Sequence, residues 1–367
     1  MRLSYTLSVY IGRYFLQYFL GVFGALIALI FLIDVVELLR RGAGVPSVTF
    51  AVTLEMSLMR VPHVGRMLFP FAALFGAMIT FWKLTRSHEL VVTRSAGISA
   101  WQFLLPALLI AFLLGVFKIT AFSPLAASTL QRFERMEATH VAGQKNLFSI
   151  SKTGMWLRQI SESGQAVIHA ERARPEGSEM TLSDVIVYMY EGRDRFALRV
   201  DAETAVLGEG FWHLKKAWVQ APEQQATYHD EYFLDTDLTF NKIQDSFSRP
   251  EVMSFWELPA FINTLEEAGF SATRHKLYLH SLLSSPVLMC AMILIAAIFT
   301  LRKQTRKGGS FLIITSGILA GFVLYFFSDL VFALGLSNSL PVVLAAWAPS
   351  GIASLLGMSA LLHLEDG

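Results

Sequence analysis

The residues best suited to chemistry in this chain are arginines, and the chemistry is anion binding. Arg40 and Arg41 close a long apolar run, and Arg132 and Arg135 are spaced i,i+3 on a segment that reads as helix. A guanidinium offers a rigid fork of N–H donors that grips phosphate through two parallel bonds, so four of them at one end of a helix bundle suit an anionic head group. The plainer reading is that each arginine snorkels to whatever phospholipid phosphate lies beside it. A second candidate is Ser87-His88-Glu89, followed by Arg94. Ser87 is a helix-capping residue type, Glu89 then falls in a first turn where the dipole favours an anion, and Gly97 suits the end of the same short helix. An exposed acid on such a helix fits docking to a second protein; an amphipathic linker resting on lipid head groups fits equally well. A third feature is aromatic crowding at Phe69 and Phe71 and again at Phe322, Tyr325 and Phe326. Such rings line cavities for acyl chains, and they also pack helices or face lipid. Asp34 and Asp329 add two acids near the ends of apolar runs, where ionisable groups are candidates for function.

Enzyme chemistry finds no support. GxxxxGK[ST], HExxH, CxxC and GxSxG are all absent from the sequence. The nine histidines are scattered, and the single cysteine, Cys290, lies in an apolar run, which excludes an intrachain disulfide and a cysteine metal site. A net charge of +1 provides no field for nucleic acid, and no cofactor is expected.

The elements that must position these residues are membrane helices. Of 367 residues, 54% are hydrophobic and 16% charged, against about 25% charged in a soluble domain. The run Tyr14–Val36 is too long for a signal-peptide core of about 7–15 residues and long enough to cross about 30 Å of hydrocarbon. Further spans are expected at Met67–Leu84, Trp101–Phe122, Leu277–Leu301, Phe311–Leu334 and Leu340–Leu362, the second reaching back toward Ser47 with Pro62 inside it. Between the two groups of three, short segments rich in Val, Ile, Tyr, Phe and Trp alternate with turn residues: Met155–Ile160, Ala166–Arg172, Ser183–Tyr190, Phe196–Glu203, Trp212–Gln220 and Thr227–Leu234. The predicted fold is thus a polytopic α-helical membrane protein, six transmembrane helices arranged 3+3, with an inserted all-β, jelly-roll-like domain. Residues 1–136 carry spans one to three with the short helix near 87–97, residues 137–253 the β-domain, and residues 254–367 an amphipathic connector helix and spans four to six. Arg2 and Arg13, then Lys83, Arg86 and Arg94, then Arg302, Lys303, Arg306 and Lys307 fall on one side if the span count is six. The positive-inside rule makes that side the cytoplasm, with both termini there and the β-domain outside. Arg40 and Arg41 are the exception, on the outer side, where arginines oppose insertion.

With these features assembled, the sequence resembles the LptF/LptG family of lipopolysaccharide export permeases over nearly its whole length. Phe69-Pro70-Phe71-Ala72-Ala73-Leu74-Phe75-Gly76, the segment Ser87–Ser99 and the 3+3 layout around a β-domain carry the resemblance, and the second is the most specific. Met155-Trp156-Leu157-Arg158 is similar to the family's first β-strand, while Glu37–Arg41 and Ser254–His280 look more like LptG than LptF. The resemblance implies a permease that pairs with a second, LptF-like permease in the inner membrane. It implies a cytoplasmic LptB-like ATPase dimer docked on the Glu89 helix, and lipopolysaccharide phosphates at Arg40, Arg41, Arg132 and Arg135. It also implies a periplasmic bridge through LptC-like and then LptA-like proteins. Four rivals stand beside this reading, of which a membrane enzyme lacks a nucleophile–base constellation and a purely structural scaffold would co-purify without an ATPase. Another ABC-type lipid or lipoprotein exporter would carry its large domain between spans one and two. A secondary transporter would need ionisable groups near the midplane, where only Lys118 qualifies.

The topology is checked by single cysteines in a Cys290-free background. A cysteine at Glu191 is expected to react with an impermeant thiol reagent from the periplasmic side and one at Lys303 is not; the reverse pattern would invert the assignment.

Overall fold

The computed structural model describes residues 5–366 apart from 44–47, 96, 138–147, 152–153, 162–163, 177–178, 192–194, 223, 237, 240–242, 244–248, 268–269 and 302–308. The chain divides into two compact units, residues 1–143, 250–258 and 273–367 in one and residues 144–249 and 259–272 in the other.

The first unit is helical. Its elements are α1 (Tyr5–Gly42), α2 (Phe50–Arg86), the short α3 (Glu89–Ser95), α4 (Ala100–Phe117), α5 (Ser123–Glu137), α7 (Thr273–Thr300), α8 (Gly309–Leu336) and α9 (Val342–Asp366). A single π-turn, Lys118–Phe122, joins α4 to α5, so the pair forms one continuous span, and six spans in all are long and apolar enough to cross a membrane. Helix is the form that satisfies every backbone N–H and C=O within one segment, which lipid requires. The second span is longer than Met67–Leu84: Thr49 caps it, its hydroxyl accepting from Val52 N, and Pro62 and Pro70 lie within it. α4 opens with a capping box in which Ser99 and Gln102 exchange side-chain bonds. The core sits where α2 and α7 meet, with Ala72, Ala73, Ala77, Ala291, Ala296 and Ala297 all fully buried. Small residues let helices approach closely where lipid supplies no hydrophobic push. Gly76 shows the tightness: a Cβ there would stand 2.9 Å from the Phe19 Cα atom. α1 is the opposite case, with only 6% of its most apolar window buried.

The second unit is one seven-stranded antiparallel sheet, β1 (Phe148–Ser151), β2 (Gly154–Ser161), β3 (Gly164–Glu176), β4 (Glu179–Glu191), β5 (Arg195–Leu207), β6 (Phe211–Gln220) and β7 (Thr227–Asp235). Strand order follows chain order throughout, so the all-β domain is a meander; the crossovers of a Greek-key jelly roll do not occur among the described residues. β1 is an addition to the six expected strands. One face is buried, through Met155, Leu157, Ile168, Val187, Val200, Trp212 and Leu214, while Trp156, Trp218, Tyr228 and Phe233 stand exposed. The alternation slips by one residue at the same level of four strands, where Glu171-Arg172, Ser183-Asp184, Glu203-Thr204 and Lys215-Lys216 place two residues in succession outside the buried core. Asp184 (φ 56°) and Lys216 (φ 54°) take left-handed backbone there, and the level is bridged by Arg172–Asp184 at 3.1 Å and Lys216–Glu203 at 2.6 Å. Bulges of this kind bend a sheet. Residues from Pro259 onward in α6 (Leu258–Glu267) belong to this unit, with Ile262 and Leu265 buried. This is the short amphipathic helix read from the sequence, although Gly269, its expected cap, lies outside the described residues.

Candidate functional site

At one end of the helical unit, three helices close around a small apolar cluster. Leu38 from α1, Met56 from α2, and Leu130 and Phe133 from α5 are all buried in it. Every arginine of the candidate set is within a turn of this cluster. Arg40 and Arg41 end α1, where the dipole favours cations, and Arg132 and Arg135 flank Phe133 with their side chains exposed. Glu37 holds the first pair: its carboxylate accepts from Arg40 Nε at 3.0 Å and from Arg41 Nε at 2.8 Å. Two guanidinium groups therefore share one carboxylate, leaving one positive charge in excess. Both bonds lie in solvent, where ion pairs are screened and weak.

The cluster is tied together by a residue that the sequence reading passed over. Arg60, on α2, donates from one terminal nitrogen to Asp34 Oδ1 at 2.7 Å, and its guanidinium lies 5.6 Å from the Phe133 ring centroid. One side chain thus joins α1, α2 and α5. The Asp34 side chain is only 12% exposed, so its charge depends on this partner. Asp34 is accounted for as half of an ion pair, whereas Asp329 is exposed on α8.

Deeper along α2 lies a second polar node. Arg66 is 5% exposed, donates to Tyr278 Oη of α7, contacts His63 Nδ1, and donates to the Glu251 carbonyl at 3.1 Å. Arg60, His63 and Arg66 recur every third residue on one helix. That spacing, which sets the three on neighbouring positions of one helix, is the sequence signal for this node.

The aromatic residues separate into two groups. Phe322, Tyr325 and Phe326 are exposed on α8, and the Tyr325 ring stands 5.9 Å from Phe71. Phe69 does not join them: it is 2% exposed, with Phe23 and Phe122 rings at 4.9 and 5.0 Å, and serves the core.

At the other end of α2, the chain turns through His88 (φ 61°) into α3. Ser87 does not cap α3 as expected. Its hydroxyl donates to the Glu89 carboxylate at 2.8 Å, and its backbone N–H donates to the Lys83 carbonyl at 3.0 Å, closing α2 instead. Leu90 is buried in the main core and Val92 is 66% exposed, so α3 is pinned by one face. Gly97 (φ 78°) ends the segment, the left-handed role read from the sequence. The Arg94 side chain lies outside the described residues, as do Arg302, Lys303, Arg306 and Lys307.

Replacing Arg60 by Ala is expected to cost about 1.5–3 kcal/mol, because it strands a mostly buried carboxylate. Arg40→Ala is expected to cost less than Arg60→Ala, because its pair with Glu37 is exposed. Thermal unfolding of the two variants in one detergent checks this order; equal melting temperatures would remove Arg60 from the centre of the cluster.

Comparison with known proteins adds a second line. The lipopolysaccharide export system permease family LptF/LptG matches residues 9–363. The lipopolysaccharide export system permease protein LptG of Haemophilus influenzae is 25% identical over 354 residues, covering 94% of this chain and 95% of that protein. The protein of the same name from Escherichia coli K12 is 24% identical over 368 residues, covering 98% of each. A match across nearly the whole chain agrees with six apolar spans around an inserted β-sheet: the chain belongs to the LptF/LptG family of lipopolysaccharide export permeases, multi-pass proteins of the inner membrane and not enzymes.

Proposed function

We propose that this chain is the LptG-like permease half of an ABC transporter that extracts lipopolysaccharide from the inner membrane and passes it to a periplasmic bridge. In this reading both termini and α3 are cytoplasmic, and the sheet domain is periplasmic. A cytoplasmic ATPase dimer docks on α3 around Glu89. A second, LptF-like permease covers the apolar surface that α1 leaves bare. An LptC-like protein, then an LptA-like one, continue the route beyond the sheet.

The observation that carries the reading is the shared cluster of Leu38, Met56, Leu130 and Phe133, which brings the two arginine pairs to one end of the bundle. Lipopolysaccharide joins several phosphates and many acyl chains in one molecule. A selective site therefore needs clustered cations beside a broad apolar surface, not one cation alone. Arg40, Arg41, Arg132 and Arg135 supply the cations; Phe71, Phe322, Tyr325 and Phe326 supply rings for acyl chains. Work comes from the partner ATPase, since the chain has no phosphate-binding loop of its own.

A photocrosslinker at position 40, in proteoliposomes containing lipopolysaccharide and phospholipid, tests the head-group site. Arg132→Ala with Arg135→Ala removes two charge-assisted contacts of about 1.5–3 kcal/mol each, so crosslinking to lipopolysaccharide is expected to fall at least tenfold. Unchanged crosslinking would return the four arginines to ordinary snorkelling.

A further inference from the structure

Residues 250–257 are bolted to the neighbouring helices by hydrogen bonds from Trp256 and Arg66. The first bolt is a consequence of Pro124. In a regular helix the Thr120 carbonyl would accept from the N–H four residues on, but that residue is a proline and has none. The π-turn Lys118–Phe122 lies over this gap, and the indole N–H of Trp256 donates to Thr120 O at 3.3 Å. An external side chain thus donates to the carbonyl whose regular i+4 partner is missing. The second bolt is Arg66, buried in α2, which donates to the Glu251 carbonyl at 3.1 Å, while Arg274 at the start of α7 lies 3.7 Å from the Glu251 carboxylate. Between these points Val252 packs against Leu38, Met56, Leu130 and Phe133. The segment is stiffened locally by the 3₁₀ turn Pro250–Val252 and by Ser254 and Glu257, which cap each other reciprocally at 3.2 and 3.3 Å.

The same eight residues therefore touch the apolar cluster beneath the candidate head-group arginines, and lead by chain connection to residues 249 and 259 of the sheet unit. We propose that residues 250–257 are a strap through which a rearrangement of the outer-end cluster reaches the sheet domain, with Arg66 and Trp256 as its positioning residues. A segment held only by solvent contacts would relax without passing on a displacement of α1, α2 or α5. One fixed to α2, to the α4–α5 junction and to α7 has to move with them. Substrate capture at the arginines and its passage to the sheet then become linked steps. The inference rests on the export reading for its cargo, but not for its mechanics.

The informative variant is Trp256→Phe, which keeps the ring and deletes the N–H; Arg66→Ala buries new unpaired groups and is read only if the protein inserts. The full chain, reconstituted with the subunits that co-purify with it, carries a photocrosslinker at position 40 or in place of Phe196 on the sheet. In Trp256→Phe, lipopolysaccharide crosslinking at 40 is expected to stay within about twofold of wild type. At 196 it is expected to fall by roughly threefold to tenfold, the factor one hydrogen bond is worth. Wild-type yields at 196, or an equal loss at both positions, would overturn the strap. A cargo-free measurement separates this from failure of the export reading: amide exchange of residues 250–257 in nanodiscs is expected to be slow in wild type and clearly faster in Trp256→Phe. Equal exchange in the two would overturn the inference whatever the crosslinking shows.

Discussion

In hydrocarbon, no backbone N–H or C=O can be left without a partner, and most of this structure follows from that rule. It forces the spans into helix and sets the sheet, whose edges expose unpaired groups, in a separate unit. It also decides where prolines are informative. Pro124 removes a donor at the α4–α5 junction, and the chain answers with a π-turn and an indole N–H from a distant segment. The polar side chains obey the same logic. Asp34 is kept beside Arg60, and Arg66 reaches Tyr278, His63 and the Glu251 carbonyl, because a buried charge without partners is costly.

The site inherits its geometry from this bookkeeping. Arg60 does not belong to the set that meets a ligand in the proposed function, yet it fixes α1 to α2 and lies over the Phe133 ring of α5. Arg40 and Arg41, by contrast, share the exposed carboxylate of Glu37. Strong pairing below and weak pairing above is the arrangement expected of a binding surface on a rigid support.

Much of the fold was legible because its signals are long and redundant. An apolar run of about 20 residues needs no fine periodicity to be read as a span, and all six are present. The six longer strands were visible through their aromatic and β-branched content. Their alternation read as only partial because four strands slip phase at one level, around Glu171, Asp184, Glu203 and Lys216. β1, four residues long, was too short to register. At the site, the exposed residues were legible by type and the buried ones were not. Arg40, Arg41, Arg132 and Arg135 break the charge pattern of a membrane protein and draw notice. Arg60, Arg66 and Tyr278 act through contacts up to 212 positions apart in sequence, and no local spacing reveals those. Phe69 carries the same side chain as Phe71 two residues away; in a helix two such positions face different ways, so one packs the core and the other approaches Tyr325.

The central claim is that the arginine-flanked end of the bundle recognises several phosphates on one lipid. Native mass spectrometry of the full chain with hexa-acylated lipid A, as the bisphosphate or the monophosphate, tests it most directly. Each charge-assisted contact contributes roughly 1.5–3 kcal/mol, so the bisphosphate is expected to bind at least about tenfold more tightly. Equal affinity for the two lipids would contradict the account, since acyl chains alone would then be what the chain recognises.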